Sequence, residues 1–184
     1  LVLVNQCEPV LYAAQADEIV GGHLGPERTS VDGSRRLADV GGGIIEEFEP
    51  AGVVGAAAML LGLGRRMLEM AVEYAGVRRQ FGRAIGSFQA VQHHLVDARV
   101  ALDFAAPMVW RAAWSIDHPD DNELDALEPK AHASAAKMMA SEAALTAGRK
   151  ALQVHGAIGY TTEYDLHLFL KRTWALAHTF GTSK

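Results

Sequence analysis

From about residue 52 the apolar positions fall at three- and four-residue steps. Leu60, Leu61, Met67, Leu68, Ala71, Val72 and Ala75 form one stripe, the spacing of an amphipathic helix. Its first half is rich in small residues, Gly55, Ala56, Ala57, Ala58, Gly62 and Gly64. Each helical Gly costs about 1 kcal/mol relative to Ala, so close approach of a neighbour is expected to compensate. A second stripe runs through Phe88, Val91, Leu95, Ala98, Leu102, Ala105, Val109 and Ala113. Ser87 is its expected N-cap and Pro107 its expected kink. After the polar connection HPDDNELDALEP (118–129), Pro129 suits the first turn of a third helix with Ala135, Met138, Met139, Leu145 and Leu152 inward and Gly156 closing it. A fourth helix is expected from Thr162 through Leu166, Phe169, Leu170, Trp174 and Ala177 to Gly181, with Glu163 and Asp165 beside its positive end.

Residues 1–48 follow another pattern. The short apolar runs LVLV, VLYAA, EIV and LADVGGGII are separated by Asn5, Pro9, Gly21, Gly22, Gly25, Pro26 and Gly33, the punctuation of strands and turns. The expected fold is mainly α, a four-helix bundle over 49–184 preceded by the end of a partial β-domain over 1–48.

Composition narrows the function classes. A net charge of -5 and a pI near 5.9 argue against nucleic acid, which calls for a clustered basic face. Cys7 is the only cysteine, so there is no intrachain disulfide and no Cys-built metal cage, which fits a reducing cytoplasm. PAGVVGAAAMLLGLG (50–64) is shorter than the roughly 20 residues a bilayer span needs and reads as a buried helix rather than a membrane segment. LVLVNQCEPVLY carries neither a basic leader nor a starting Met, so further sequence is expected upstream.

Candidate chemistry gathers in RRQFGRAIGSFQAVQHH (78–94). The guanidinium groups of Arg78 and Arg79 fit either the negative end of a helix dipole, water, or paired phosphate oxygens. His93 and His94 are adjacent, so on a helix they diverge by about 100° and do not share a metal. Neither GLG (62–64) nor GGG (41–43) completes a dinucleotide fingerprint, and no phosphate-loop or nucleophile-elbow motif occurs.

Taken together, YAGVRRQFGRAIGSFQAVQHHLVD (74–97), ALQVHGAIGYTTEYDLHLFLKR (151–172) and FGTS (180–183) resemble, in order and spacing, the C-terminal helical domain of flavin-dependent acyl-CoA dehydrogenases. SVDGSRRLADV (30–40) looks like the end of that family's middle β-domain. The resemblance implies FAD as cofactor, an acyl-CoA substrate and an electron-transfer flavoprotein or similar acceptor. By motif, Arg78 matches an arginine on the FAD pyrophosphate, Gln80 the polar residue beside it, and Phe81 an aromatic near the adenine nucleotide. Gln89 matches the glutamine of the FQA turn. Gln153, His155 and Gly156 match a loop cradling FAD from the other side, and Thr182 a threonine that touches it. In the family the RRQFG segment reaches FAD held mainly by a neighbouring subunit. An arginine fork, exposed backbone N–H groups at a helix end and an aromatic surface all suit an anionic dinucleotide. Ala157 stands where the family usually has a second Gly.

The departure concerns the base. The family's reaction removes an α-proton from the thioester with a glutamate. That glutamate usually precedes the Gly-Thr of the last motif, where this chain has Phe180. In a smaller group it lies at the start of the first long helix, about Gly52, with an expected arginine at Val53. The leading expectation is a subunit without a catalytic base, which completes an interfacial FAD site in a homo- or hetero-oligomer with an acyl-CoA dehydrogenase subunit. The alternatives are a flavin-free structural or regulatory homologue, and a self-sufficient dehydrogenase using Glu49.

Overall fold

The computed structural model describes residues 10–11, 23–32, 37–41, 50–118 and 128–181. Glu46, Glu47, Glu49, Thr182 and most of the polar 118–129 connection lie outside them. The chain divides into two compact units, Leu1–Phe48 and Glu49–Lys184.

In the first unit, β1 (Val10–Leu11), β2 (His23–Arg28) and β3 (Leu37–Gly41) form an antiparallel sheet in the order β1-β3-β2. Val10 pairs with Ala38, and Arg28 with Leu37. HLGPER reads as turn punctuation in the sequence, yet it forms a strand of the sheet. Its register shifts between Leu24 and Glu27, which spans Gly25 and Pro26. A proline without an N–H is tolerated at such a bulge on an outer strand.

The second unit is the expected helical bundle. It comprises α1 (Pro50–Val77), the short β4 (Arg79–Gln80) and β5 (Arg83–Ala84), α2 (Gln89–Asp117), α3 (Pro129–His155) and α4 (Leu166–Ala177). One-turn 3-10 segments, Ile85–Ser87 and Gly156–Tyr160, precede α2 and follow α3. α1 is long and apolar enough by composition to cross a membrane, but Leu60, Leu61, Met67 and Ala71 are buried within the bundle. α2 runs through Pro107 as one helix.

The buried face of α3 differs from the one its large residues suggest. Ala133, Ala136, Ala140, Ala143, Ala144, Ala147 and Ala151 are buried, while Met138 is exposed. Small side chains let α1 and α2 approach closely, since interaxial distance depends on the residues at the contact. At Gly64 a side chain would begin 2.6 Å from Leu102 Cδ2 and 3.2 Å from the Ala144 backbone. The expected compensation is therefore present there. At Gly148 a Cβ would meet Leu170 Cδ2 at 2.8 Å, so α3 and α4 meet closely too. Val72 and Trp174 face outward, and in α2 Ala112 rather than Ala113 lines the core. The stripes keep their period, and individual flanking positions turn out of them.

Lys137 sits on the alanine face, buried. Its Nζ donates to Ser141 Oγ and to the Ala177 carbonyl, both at 3.1 Å, so it caps the C-terminal end of α4. Burial lowers its pKa from the ordinary lysine value. α4 begins at Leu166 rather than near Thr162, because residues 161–165 form turns.

Candidate functional site

α1 ends in a backbone bond from Arg78 N–H to the Tyr74 carbonyl. The chain then reverses in a two-residue hairpin, with Arg79 opposite Ala84 and Gln80 opposite Arg83. Phe81 and Gly82 occupy the loop with φ of 52° and 80°. Positive φ at both loop residues matches the twist of a tight hairpin, which normally recruits Asn-Gly or Asp-Gly. A phenylalanine there is strained by roughly 1–2 kcal/mol. It is also 92% exposed. Its ring meets Phe88 edge-on at 6.1 Å, and the Arg83 guanidinium lies 4.1 Å over Phe88. Arg78, Arg79, Gln80, Arg83 and Gln89 are exposed around it. The chain thus holds an aromatic at a strained tip among three guanidinium groups, an arrangement that points to a partner outside the fold.

The start of α2 departs from expectation. Its N-cap is Phe88, without a side-chain cap, and Ser87 Oγ donates to the Ala84 carbonyl at 2.7 Å. The serine therefore closes the short 3-10 turn, and Gln92 Nε2 donates to the Gly86 carbonyl at 2.9 Å. His94 serves the fold: Lys150 Nζ donates to its Nδ1 at 2.9 Å and to Asp97 at 3.1 Å, joining α2 to α3.

The end of α3 lies at this same end of the bundle. Gln153 is exposed on the last turn, and Gly156 terminates α3 with φ 63°. Ala157 is exposed in the following 3-10 turn and does not need positive φ, so a methyl group is tolerated where a second Gly is usual. The imidazole of His155, in contrast, is turned inward and only 4% exposed. It stacks on Tyr74 at 4.6 Å and lies 4.7 Å from Tyr164. Nδ1–H donates to the Ala151 carbonyl at 2.8 Å, which leaves Nε2 as a buried acceptor without a hydrogen-bond partner among the described residues. Desolvation lowers its pKa, and the bond to Ala151 opposes this. Burial inside the bundle therefore favours the neutral ring of His155 over its charged form. Tyr74 and Tyr164 complete the cluster; a tyrosine one turn before Arg78 was the only sequence signal for it.

The other end of α1 is apolar. Phe180, φ 60°, precedes Gly181, φ 94°. Its ring packs against the core and lies over Gly52, where an added Cβ would sit 3.4 Å from Phe180 Cζ. The two positions matched to a family glutamate thus touch each other, and neither carries an ionisable group. Gly52 and Arg78 lie twenty-six positions apart, about 39 Å along a helix. The structure brings Arg78, Gln80, Phe81, Gln89, Gln153 and Gly156 to one end of the bundle and leaves Phe180 at the other.

Sequence comparison matches residues 50–184 to the family described as acyl-CoA dehydrogenase, C-terminal domain. The probable acyl-CoA dehydrogenase YngJ of Bacillus subtilis (strain 168) is 37% identical over 135 residues, covering 72% of this chain and 33% of that protein. Acyl-CoA dehydrogenase IpdE2 of Mycobacterium tuberculosis is 38% identical over 152 residues, covering 78% of this chain and 43% of that protein. The chain thus spans less than half the length of these two relatives. The solved structure of PigA with FAD and proline shares the fold, with a TM-score of 0.75 and 24% identity over 91% of this chain and 47% of that one.

Proposed function

Since this chain belongs to the acyl-CoA dehydrogenase family through its C-terminal domain, we propose that it serves as a subunit that completes an interfacial FAD site and leaves proton abstraction to a partner subunit. The observation that carries this reading is the Phe180 ring seated on Gly52. Both family base positions are filled without a proton acceptor, while the hairpin about 39 Å away along α1 keeps its guanidinium groups exposed. That distance exceeds the reach of one extended dinucleotide, so the two ends of one chain serve different cofactors or different subunits.

The residues at the hairpin end fit the group. Arg78 offers a planar pair of donors to pyrophosphate oxygens. Phe81 gives an aromatic surface to the nucleotide, and Gln80, Gln89 and the exposed Gln153 beside the turn at Gly156 add polar contacts. His155 supports that turn from within. FAD, when bound, accepts the hydride that leaves the β-carbon of an acyl-CoA as the α-proton goes to a carboxylate. Phe180 contributes an apolar surface at its own end and holds no proton. Thr182, matched to a threonine on the cofactor, follows it in sequence. Electrons would pass to an electron-transfer flavoprotein or a similar acceptor, in the cytoplasm.

The partner is a second acyl-CoA dehydrogenase subunit, identical or related. α2 carries large apolar residues on its outer side in addition to its buried face: Val96, Val100, Phe104, Trp110 and Trp114 are exposed and fall within an arc of about 120°, which Asp103 and Arg111 share. A helix that is apolar on opposite sides is covered on both. The test is to purify the natural assembly, identify its chains, and assay acyl-CoA oxidation with and without the partner. Flavin in the assembly, and turnover that needs the partner's glutamate, are expected. Turnover by this chain with FAD alone, abolished by Glu49→Gln, would overturn the proposal; an assembly without flavin absorbance would reduce the chain to a scaffold.

A further inference from the structure

The hairpin after α1 and the loop after α3 are separate in sequence, yet one aromatic cluster ties them together. Tyr74 lies on the last turn of α1, and its carbonyl accepts the N–H of Arg78. Its ring stacks on His155 at 4.6 Å with 23° between planes, and meets Tyr164 edge-on at 6.2 Å. His155 stands between Gln153 and Gly156. Two close-packed glycines hold the flanking turns to the same cluster. A Cβ on Gly86 would approach the Ala75 carbonyl oxygen to 3.0 Å, and one on Gly159 would approach His155 Cβ to 3.0 Å. The first turn is therefore pressed against the α1 backbone next to Tyr74, and the second against His155 itself.

We infer that Tyr74 is a positioning residue whose ring, stacked on a His155 that also meets Tyr164, sets the separation of the Arg78–Phe81 hairpin from the Gln153–Gly156 loop, so that both grip one dinucleotide. The inference rests on the proposed FAD site. His155 acts through this stack rather than by touching the cofactor, as its burial and its bond to Ala151 require. The ring plane matters because two flat faces in contact fix orientation as well as distance, which an aliphatic side chain of similar bulk does not.

The natural flavin-containing assembly, stripped and reloaded, gives the test through FAD titration followed by flavin fluorescence. Tyr74→Leu is expected to weaken FAD binding about five- to ten-fold with helix content unchanged, and Tyr74→Phe to restore it. Because Tyr74 acts through the hairpin, Tyr74→Leu adds little once Arg78 is already Ala; independent, multiplicative effects of the two substitutions would overturn the inference. Unchanged FAD affinity in Tyr74→Leu would overturn it as well. If Arg78→Ala alone leaves FAD affinity intact, the site reading itself fails, a result distinct from failure of the positioning role. Should Tyr74→Leu not fold, Tyr164→Leu enters the same cycle, and failure of both to fold would assign the cluster to stability alone.

Discussion

Phe81–Gly82 and Phe180–Gly181 share a backbone. Each is a phenylalanine at positive φ followed by a glycine at positive φ, and these two phenylalanines are the non-glycine residues with positive φ among the described residues. The first ring is turned out at a hairpin tip. The second is turned in against the core and over Gly52. The same local strain therefore displays an aromatic at one end of α1 and seals a surface at the other. Backbone conformation alone does not assign a role; what surrounds the ring does. Guanidinium groups surround the first, and apolar side chains the second.

If this contrast holds, substitutions at the two ends separate stability from binding. The largest effect is expected from Phe180→Ala, which opens space in packed surroundings: unfolding in urea should show a loss of about 2 kcal/mol, less than for a fully buried ring, with FAD affinity at the hairpin end retained. Equal stability in the variant would show that the ring is not part of the core. Arg78→Ala should do the reverse, weakening FAD roughly ten-fold while the stability of the bundle stays within about 0.5 kcal/mol. A drop in melting temperature at unchanged affinity would erase the distinction.

Protonation gives a third, smaller handle. The folded chain holds His155 below its ordinary value of 6.5, so the unfolded chain binds the proton first as pH falls. Stability is therefore full above 6.5 and declines as pH drops towards the folded pKa. Melting curves at about pH 7.5 and about pH 5.5 should differ more for the natural chain than for His155→Phe, which keeps a ring and removes the titration. The smallest effect is expected at the hairpin tip, where Phe81→Asn suits the turn better. A gain of about 0.5 kcal/mol in stability should accompany weaker FAD binding. A loss of stability would mean that the Phe81–Phe88 contact outweighs the strain.

Much of this architecture is legible in the sequence because helices repeat. The stripes through Leu60, Met67 and Ala71 and through Ala98, Leu102 and Val109 mark buried faces correctly, and Pro129 and Gly156 bound α3. The alanine face of α3 is harder to read, since alanine suits a helix whether buried or exposed; only the partner helices decide, and they put Met138 outside. Ser87 was an ambiguous signal, because the same hydroxyl that caps a helix also closes a 3-10 turn. Among the candidate site residues, exposed Arg78, Gln80, Phe81, Gln89 and Gln153 stand where a ligand could reach them, whereas the burial of His155 depends on Tyr74 and Tyr164, which come together only in the folded bundle. Lys137 gave no sequence signal, as its acceptor at Ala177 lies forty residues away.

α1 also acts as a ruler with angular divisions. Each residue inserted between Gly52 and Arg78 would carry the hairpin about 1.5 Å outward and swing it about 100° around the axis. Clamped at Gly64 by Leu102 and Ala144, the rod cannot absorb such a change by sliding. Length variation in this helix is therefore restricted to steps of about seven or eleven residues, which return the hairpin to within about 20° of its bearing, and the spacing of neighbouring cofactor sites in the proposed assembly would change in the same increments.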